Sequence, residues 1–360
     1  MQIDTMKMNV VVLACLCLVL VLNGVEVDAR RHRGRKYKLL LLGDSFVDVG
    51  NQQATGEMSQ ISRQWHTPYG MSDSAHGYRP TGRFSDGLVQ SDFLAKILGR
   101  DESPPAYRIW SAEDDDGSPF AGLNFAVAGS SVFRGNGTEE ATSLPDQIDQ
   151  LRNLLSDGDV ARKDLQDSVA LVAVSVMHDY QMVNSDDRDD DLRSFANQVT
   201  DKIVDAVKHL QRLGVSKVLV NGLPPSGCTP WWSVNNNYAS CDARGNALSS
   251  MHNAALKRKL AKFDDDDVLL LDLESIFNSV FSSGTDLSRQ FPTRFTPCCD
   301  SPDTQNGYCG QVDATWGTKQ YTLCSNPADY FYWDFWHPTQ AGWNAVMEAL
   351  KGPIKDFLDI

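Results

Sequence analysis

Lys38-Leu-Leu-Leu-Leu-Gly-Asp-Ser-Phe-Val-Asp-Val-Gly-Asn51 is an apolar run that stops abruptly at Gly43-Asp44-Ser45. Four leucines in a row, with no alternation, read as a strand buried on both faces, as in a parallel sheet flanked by helices. Ser45 then stands where that strand ends. Open α/β sheets bind ligands outside the carboxyl ends of their strands, and a glycine lets the backbone turn sharply there, so the Ser45 hydroxyl is well placed as a nucleophile. The plain alternative is a strand-to-helix turn capped by Ser45 or Asp44.

Outward from this stretch, apolar strands alternate with amphipathic helices. A helix capped by Ser85 or Asp86 runs through Leu88, Phe93, Leu94 and Ile97 to a stop at Gly99. A short strand covers Leu123 to Ala128 and ends in Gly129-Ser130-Ser131; Leu144-Pro145 opens a helix with Ile148, Leu151 and Leu155 on one side. Ser168 to Met177 is the clearest buried strand and leads into His178-Asp179-Tyr180. A helix from about Leu192 to Leu213 stops at Gly214, and a strand follows at Lys217 to Asn221. Then come a helix at Asn246 to Phe263, a strand at Val268 to Leu271, a short helix around Ile276 and a last helix from near Thr339. This spacing implies an α/β fold with a parallel sheet covered on both sides. Ser45, Gly129 and His178 each fall just after a strand, where loops converge on one edge.

Residues 1–29 read as a signal peptide: a polar start with Lys7, the apolar Val10 to Leu22, and Val27-Asp28-Ala29 as a small-residue cleavage site. The apolar part is shorter than a membrane span needs. Residues 30–360 contain no second such segment, no low-complexity linker and no repeat, and read as a single domain with a basic start, Arg30 to Lys36. The net charge is −14, with acidic clusters at Asp114 to Asp116, Asp186 to Asp191 and Asp264 to Asp267. These read as solvated loops and argue against a nucleic-acid partner.

Of eight cysteines, Cys15 and Cys17 leave with the signal, while Cys228, Cys241, Cys298, Cys299, Cys309 and Cys324 stay. An even count in a secreted chain points to disulfides. The adjacent Cys298 and Cys299 are badly placed to bridge each other, so each pairs elsewhere, and the connectivity stays open. A metal site fits poorly, because the cysteines lack a paired CxxC pattern and interleaved histidines. Asn136-Gly-Thr138 is a glycosylation sequon in a Gly-rich stretch.

A serine hydroxyl needs a base within hydrogen-bond reach, and that base needs a third group to orient it. His337 can be the base, and Asp334, three residues earlier, can hold its other ring nitrogen. Capping of the last helix is the structural alternative for this pair. Ester hydrolysis also needs donors aimed at the developing oxyanion, and the N–H groups of Ser45 and Gly129 are candidates.

Gly43-Asp44-Ser45, Asn124-Phe-Ala-Val-Ala-Gly129, Gly222-Leu-Pro-Pro-Ser-Gly-Cys228 and Trp333-Asp-Phe-Trp-His-Pro-Thr339 together resemble the plant GDSL esterase/lipase family of SGNH hydrolases. Thr81-Gly-Arg-Phe-Ser-Asp-Gly87 and Cys298-Cys299 with Cys309-Gly310 also match its pattern, so the resemblance runs from about residue 38 to 345. It implies a three-layer α/β/α, flavodoxin-like fold and carboxylic-ester hydrolysis through an acyl-serine, with no cofactor or metal. It assigns Ser45 as nucleophile and first oxyanion donor, Gly129 as second donor, and Asp334 and His337 as the rest of the triad. The third donor of the family is an Asn in a Gly-x-Asn-Asp block. Here that block reads Val176-Met-His-Asp179, so His178 stands in the Asn position. Loss of one oxyanion donor costs roughly 10²–10³ in kcat, so either His178 supplies an N–H or activity is weak.

Trp231-Trp232 and Tyr330 to Trp336 are aromatic clusters that suit core packing, a sugar-stacking wall or an acyl pocket. The sequence expectation is therefore an extracellular ester hydrolase of the apoplast or cell wall. It acts on lipid, small-molecule or polysaccharide esters, without stable membrane insertion. The alternative is a weak or inactive binding protein for an acylated ligand.

Overall fold

The computed structural model describes residues 36–54, 58–110, 120–135, 142–180, 188–303 and 307–360, apart from the side chains of Met177 and His178. The signal-peptide reading of residues 1–29, the sequon at Asn136 and the acidic cluster at Asp114 to Asp116 lie outside these residues. The sheet and the site both lie within one compact unit, Tyr37–Gly352.

Five strands form the central sheet: β1 (Lys38–Gly43), β2 (Gly122–Asn124), β3 (Ser168–Ala173), β4 (Lys217–Asn221) and β5 (Val268–Leu271). All pair in parallel, in the order β2-β1-β3-β4-β5. Leu39 to Leu42 and Val169 to Ala173 are fully buried, as unbroken apolar runs between two helical layers require. Leu40, Leu42, Ala170, Val172, Val218 and Val220 share one face and pack into a core with α2 (Leu144–Asp157), α3 (Asp189–Leu213) and α4 (Ala243–Leu260). On the opposite side, Gln90 at the start of α1 (Gln90–Ile97) exchanges amide hydrogen bonds of 2.9 and 2.8 Å with Asn221 at the end of β4. Trp343 of the last helix, α6 (Gln340–Leu358), meets Phe46 and Phe277 of α5 (Leu273–Phe281) edge-on.

Where the elements differ from the sequence expectation, a polar side chain is the cause. The second strand stops at Asn124 rather than Ala128, because the Asn124 side chain takes the Ala126 N–H and donates to Val47 O and Ser103 Oγ. The third strand stops at Ala173 rather than Met177. Ser175 turns its N–H and hydroxyl to Asp44, and Val176 adopts a left-handed φ of 48° before the short helix Met177–Tyr180. Ser85 and Asp86 do not cap the helix that follows them. Instead, Ser85 Oγ donates to Pro338 O, and Asp86 accepts the Gln340 N–H at 2.7 Å at the start of α6. Helix α3 begins at Asp189, so Asp189 to Asp191 lie in its first turn, where acidic groups favour the helix dipole, and are not a loop. Helix α4 begins at Ala243 because Asp242 caps the Gly245 N–H.

The six cysteines pair as Cys228–Cys241, Cys298–Cys324 and Cys299–Cys309. The two neighbours at 298 and 299 thus bind different partners.

Gly43 has φ +146°, and a Cβ there would lie 1.8 Å from Ala173 O of the neighbouring strand. Both the conformation and the contact exclude a side chain. Gly43→Ala is expected to lose at least ~3 kcal/mol of stability, as buried backbone clashes do. Urea unfolding checks this, and an unchanged midpoint would contradict it.

Candidate active site

Buried side chains tie down the end of β1 and the loop that follows it. Gln147 of α2 accepts from Gly43 N and donates to Gly43 O, each at 2.8 Å, and also donates to Ser130 Oγ. Asp48 takes four backbone N–H groups, those of Gly50, Asn51, Gln52 and Ala128. Asn51 in turn donates to Asn124 O and Ala126 O. The loops after β1 and β2 are therefore one hydrogen-bonded body, which sets Ser45 and Gly129 in a common frame.

Asp44 accepts from Ser175 N at 2.6 Å, from Ser175 Oγ at 2.7 Å and from Phe46 N at 3.3 Å. Burial pushes its carboxyl up to about 6, against the opposing pull of those hydrogen bonds and of the His337 charge. Ser45, between these buried neighbours, remains partly accessible.

The structure brings Ser45, His337 and Asp334 together from opposite ends of the chain. His337 Nε2 lies 2.9 Å from Ser45 Oγ, and His337 Nδ1 lies 2.8 Å from Asp334 Oδ1. Asp334 Oδ1 also takes the backbone N–H groups of Trp336 and His337, both at 2.9 Å, so the turn itself holds the carboxylate under the imidazole. With Asp334 accepting at Nδ1, the ring carries its proton there, and Nε2 is free to take one from the serine. Helix capping, the structural alternative for this pair, is done instead by Thr339, whose Oγ1 takes the Gly342 N–H at 2.9 Å, and by Asp86, which takes that of Gln340.

Two groups that sequence reading passed over complete the surroundings of Asp334. Tyr69 OH donates to Oδ2 at 2.7 Å and Arg63 Nη2 at 3.2 Å, both from the irregular region after β1. Burial alone would raise the Asp334 carboxyl, but the charges of His337 and Arg63, with the hydrogen bonds of His337 and Trp336, hold it well below the usual carboxylate range.

Gly129 has φ +82°, a conformation that favours glycine. Neither the Ser45 nor the Gly129 N–H donates to another atom among the described residues. Asp179 of the third block anchors the same loop, accepting from Ser131 Oγ and from Val132 N. The His178 backbone lies in the short helix beside it, five residues beyond the end of β3; its side chain is outside the described residues.

The aromatic clusters divide. Phe331, Tyr332 and Trp333 are core residues, whereas Trp231 stacks on Trp336 at 4.9 Å and both stay partly exposed. The void beside them, lined by Gln60, Arg63, Trp231, Tyr308, Asp334 and Trp336, measures about 10 Å³. It has room for about one water molecule, not for an acyl chain. Among the described residues, no cluster of three or more His, Cys, Asp or Glu is placed to hold a metal ion, and no helix is long and apolar enough to cross a membrane.

A strand-end serine joined to a histidine and a buried carboxylate on a parallel α/β sheet is the arrangement that an activated serine nucleophile requires. Comparison with known proteins gives the family. The model of the GDSL-like lipase/acylhydrolase family matches residues 39–350. The chain is 34% identical over 341 residues to GDSL esterase/lipase At5g03610 of Arabidopsis thaliana, covering 92% of this chain and 91% of that one. It is 32% identical to At3g09930 (92% and 93% covered) and 30% identical to At5g03600 (89% and 95% covered), GDSL esterase/lipases of the same plant. The chain belongs to the GDSL family and is an ester hydrolase.

The buried Asp44 carboxyl sets a pH dependence of stability. Its folded value, about 6, exceeds its ordinary value of 3.8, so the proton is bound more tightly in the folded state. The resulting stabilisation is complete below about pH 4 and lost as pH rises through 6. Relative to Asp44→Asn, the wild type is expected to lose about 2.5 kcal/mol between pH 4 and pH 7, from ~1.4 kcal/mol per pH unit. Denaturant midpoints of both proteins across this range check it, and parallel curves would contradict it.

Proposed function

We propose that the chain is a secreted serine esterase that cleaves carboxylic esters through an acyl-Ser45 intermediate. The observation that carries this reading is the unbroken run from Ser45 Oγ through His337 to Asp334, with separations of 2.9 and 2.8 Å. His337 Nε2 takes the Ser45 proton as Oγ bonds to the ester carbonyl carbon, and Asp334 steadies the imidazolium. The carbonyl oxygen becomes an oxyanion, met by the N–H groups of Ser45 and Gly129 and by a ring N–H of His178. Collapse breaks the bond to the alcohol, whose oxygen takes the proton from His337. Water then repeats the sequence on the acyl-serine, releasing the acid and returning the proton to Ser45.

The substrates of this reading are acyl or acetyl esters of lipids, small molecules or cell-wall polysaccharides outside the cell. Supporting it are the signal-like residues 1–29, the sequon at Asn136 and three disulfides, which persist in oxidising compartments. A net charge of −14 disfavours nucleic acid as a partner. One observation favours a second reading, a weak or inactive binding protein for an acylated ligand: His178 replaces the Asn of the third block.

A fluorophosphonate probe separates the two readings. Labelling at Ser45, with kcat at least ~10³-fold lower in Ser45→Ala, is expected for the esterase. Ligand binding without labelling identifies the binding protein, and full activity in Ser45→Ala rejects the mechanism.

His178 has its own test. His178→Ala is expected to lower kcat about 10-fold, the lower end of what an oxyanion donor contributes. An unchanged rate removes His178 from the oxyanion site. A large gain in His178→Asn would show that the natural residue impairs it.

A further inference from the structure

The Asp334 carboxylate is built into more than a serine triad. It is 3% exposed, and both its oxygens lie within reach of His337 Nδ1, Oδ1 at 2.8 Å and Oδ2 at 3.0 Å, while Oδ2 is also held by Tyr69 OH and by Arg63 Nη2. Arg63 is itself fixed in a single pose. Its Nε donates to Tyr69 OH at 2.7 Å, its Nη1 to Gln60 O, and its guanidinium carbon lies 4.8 Å from the centre of the Phe84 ring. The same Phe84 ring lies 4.7 Å from the His337 imidazole, tilted by 30°. Arg63, Tyr69 and Phe84 thus form one packed group that contacts both the acid and the base. None of them is within reach of the Ser45 hydroxyl by any hydrogen bond of the described residues.

We infer that Arg63, with Tyr69, is a positioning pair for the triad that neutralises the Asp334 carboxylate and so sets the pH at which His337 becomes a competent base. This inference rests on the esterase reading above. Its physical content is a charge balance. A lone buried carboxylate beside an imidazole favours the imidazolium strongly, which would keep His337 protonated and unable to accept the serine proton at mildly acidic pH. A guanidinium 3.2 Å from Oδ2 offsets part of that attraction, because buried charges a few ångströms apart interact strongly. The buried ion pair also explains how Asp334 stays ionised out of water, since an unpaired buried charge is costly.

Among the described residues, Asp334 and Asp44 act on His337 by their charge, while Arg63 and Tyr69 act on it through Asp334, and the pull of Asp44 on the imidazole is common to wild type and variants. The Tyr69 hydroxyl, raised well above its usual value by burial, remains a neutral donor throughout the working range.

Removing the Arg63 charge therefore makes His337 easier to protonate. The acidic limb of kcat/KM, which reports the base in the free enzyme, then moves to higher pH. The test is the pH profile of hydrolysis of p-nitrophenyl acetate by the full protein and three variants, with folding checked by circular dichroism. Arg63→Met is expected to move the acidic limb up by about one pH unit, the lower end of what a neighbouring opposite charge does to a carboxylate. It should also lower kcat at pH 7 by ~10-fold or more through loss of triad alignment. Arg63→Lys keeps the charge but not the planar fork, so the limb should stay in place while kcat falls. Tyr69→Phe removes one donor from the carboxylate and should move the limb in the same direction as Arg63→Met, by less. This variant also decides the matter if Arg63→Met fails to fold.

An acidic limb that is unchanged in both Arg63→Met and Tyr69→Phe overturns the inference, whatever happens to kcat. If the wild type neither hydrolyses the ester nor labels with fluorophosphonate, the esterase reading fails instead. The inference is then read from the imidazole titration of His337 by NMR. A midpoint that is unchanged between wild type and Tyr69→Phe rejects it, and an upward move in the variant supports it.

Discussion

A carboxylate taken out of water must be met by donors or by a counter-charge, and the active edge of this sheet contains several. Asp44, Asp48, Asp92 and Asp334 are all buried. Leaving any of them unpaired would cost several kcal/mol, so the loops around them have little freedom. Each solution is different. Asp48 gathers four backbone N–H groups, Asp92 takes a two-pronged salt bridge from Arg83, Asp44 takes both donors of Ser175, and Asp334 combines an imidazole, a phenol and a guanidinium. The irregular segments of the edge are ordered by these carboxylates as firmly as the strands are by their ladders.

Much of the fold was legible because it rests on apolar burial. The runs at 38–43, 217–221 and 268–271 are strands with bounds close to those their composition suggests, since no polar side chain interrupts them. Legibility failed where such a side chain competes with the ladder. Asn124 and Ser175 each read as the continuation of an apolar run, yet each diverts the backbone into a turn that carries a site residue. Ser45, Asp334 and His337 were readable because the chemistry of a serine nucleophile demands that set. Arg63 was not: an arginine in an irregular stretch has no periodicity to show that it is buried, and its partner lies 271 positions away. Gln147 was illegible for a different reason: a polar residue on an amphipathic helix carries no sequence signal that its side chain is buried against a strand end.

Asp334 and His337 sit on a segment with little regular structure of its own. It is held from two sides. Cys298 N donates to Tyr332 O, Cys299 N to Trp333 O and Cys324 N to Cys298 O, so two of the disulfides brace the strand-like stretch leading to Asp334. From the other side, Trp333 N closes on His337 O at 2.7 Å, and Ser85 Oγ reaches Pro338 O. The sheet holds the serine, and this cross-linked loop region presents the histidine to it.

The two halves of the reacting pair are 292 positions apart in the chain. A ribosome adding ~5–20 residues per second delivers the serine roughly 15–60 s before the histidine that activates it. Throughout that interval the nascent chain carries a finished strand-end serine with no base. The contact between Ser45 and His337 thus forms late in biogenesis, after all five strands of the sheet have been made.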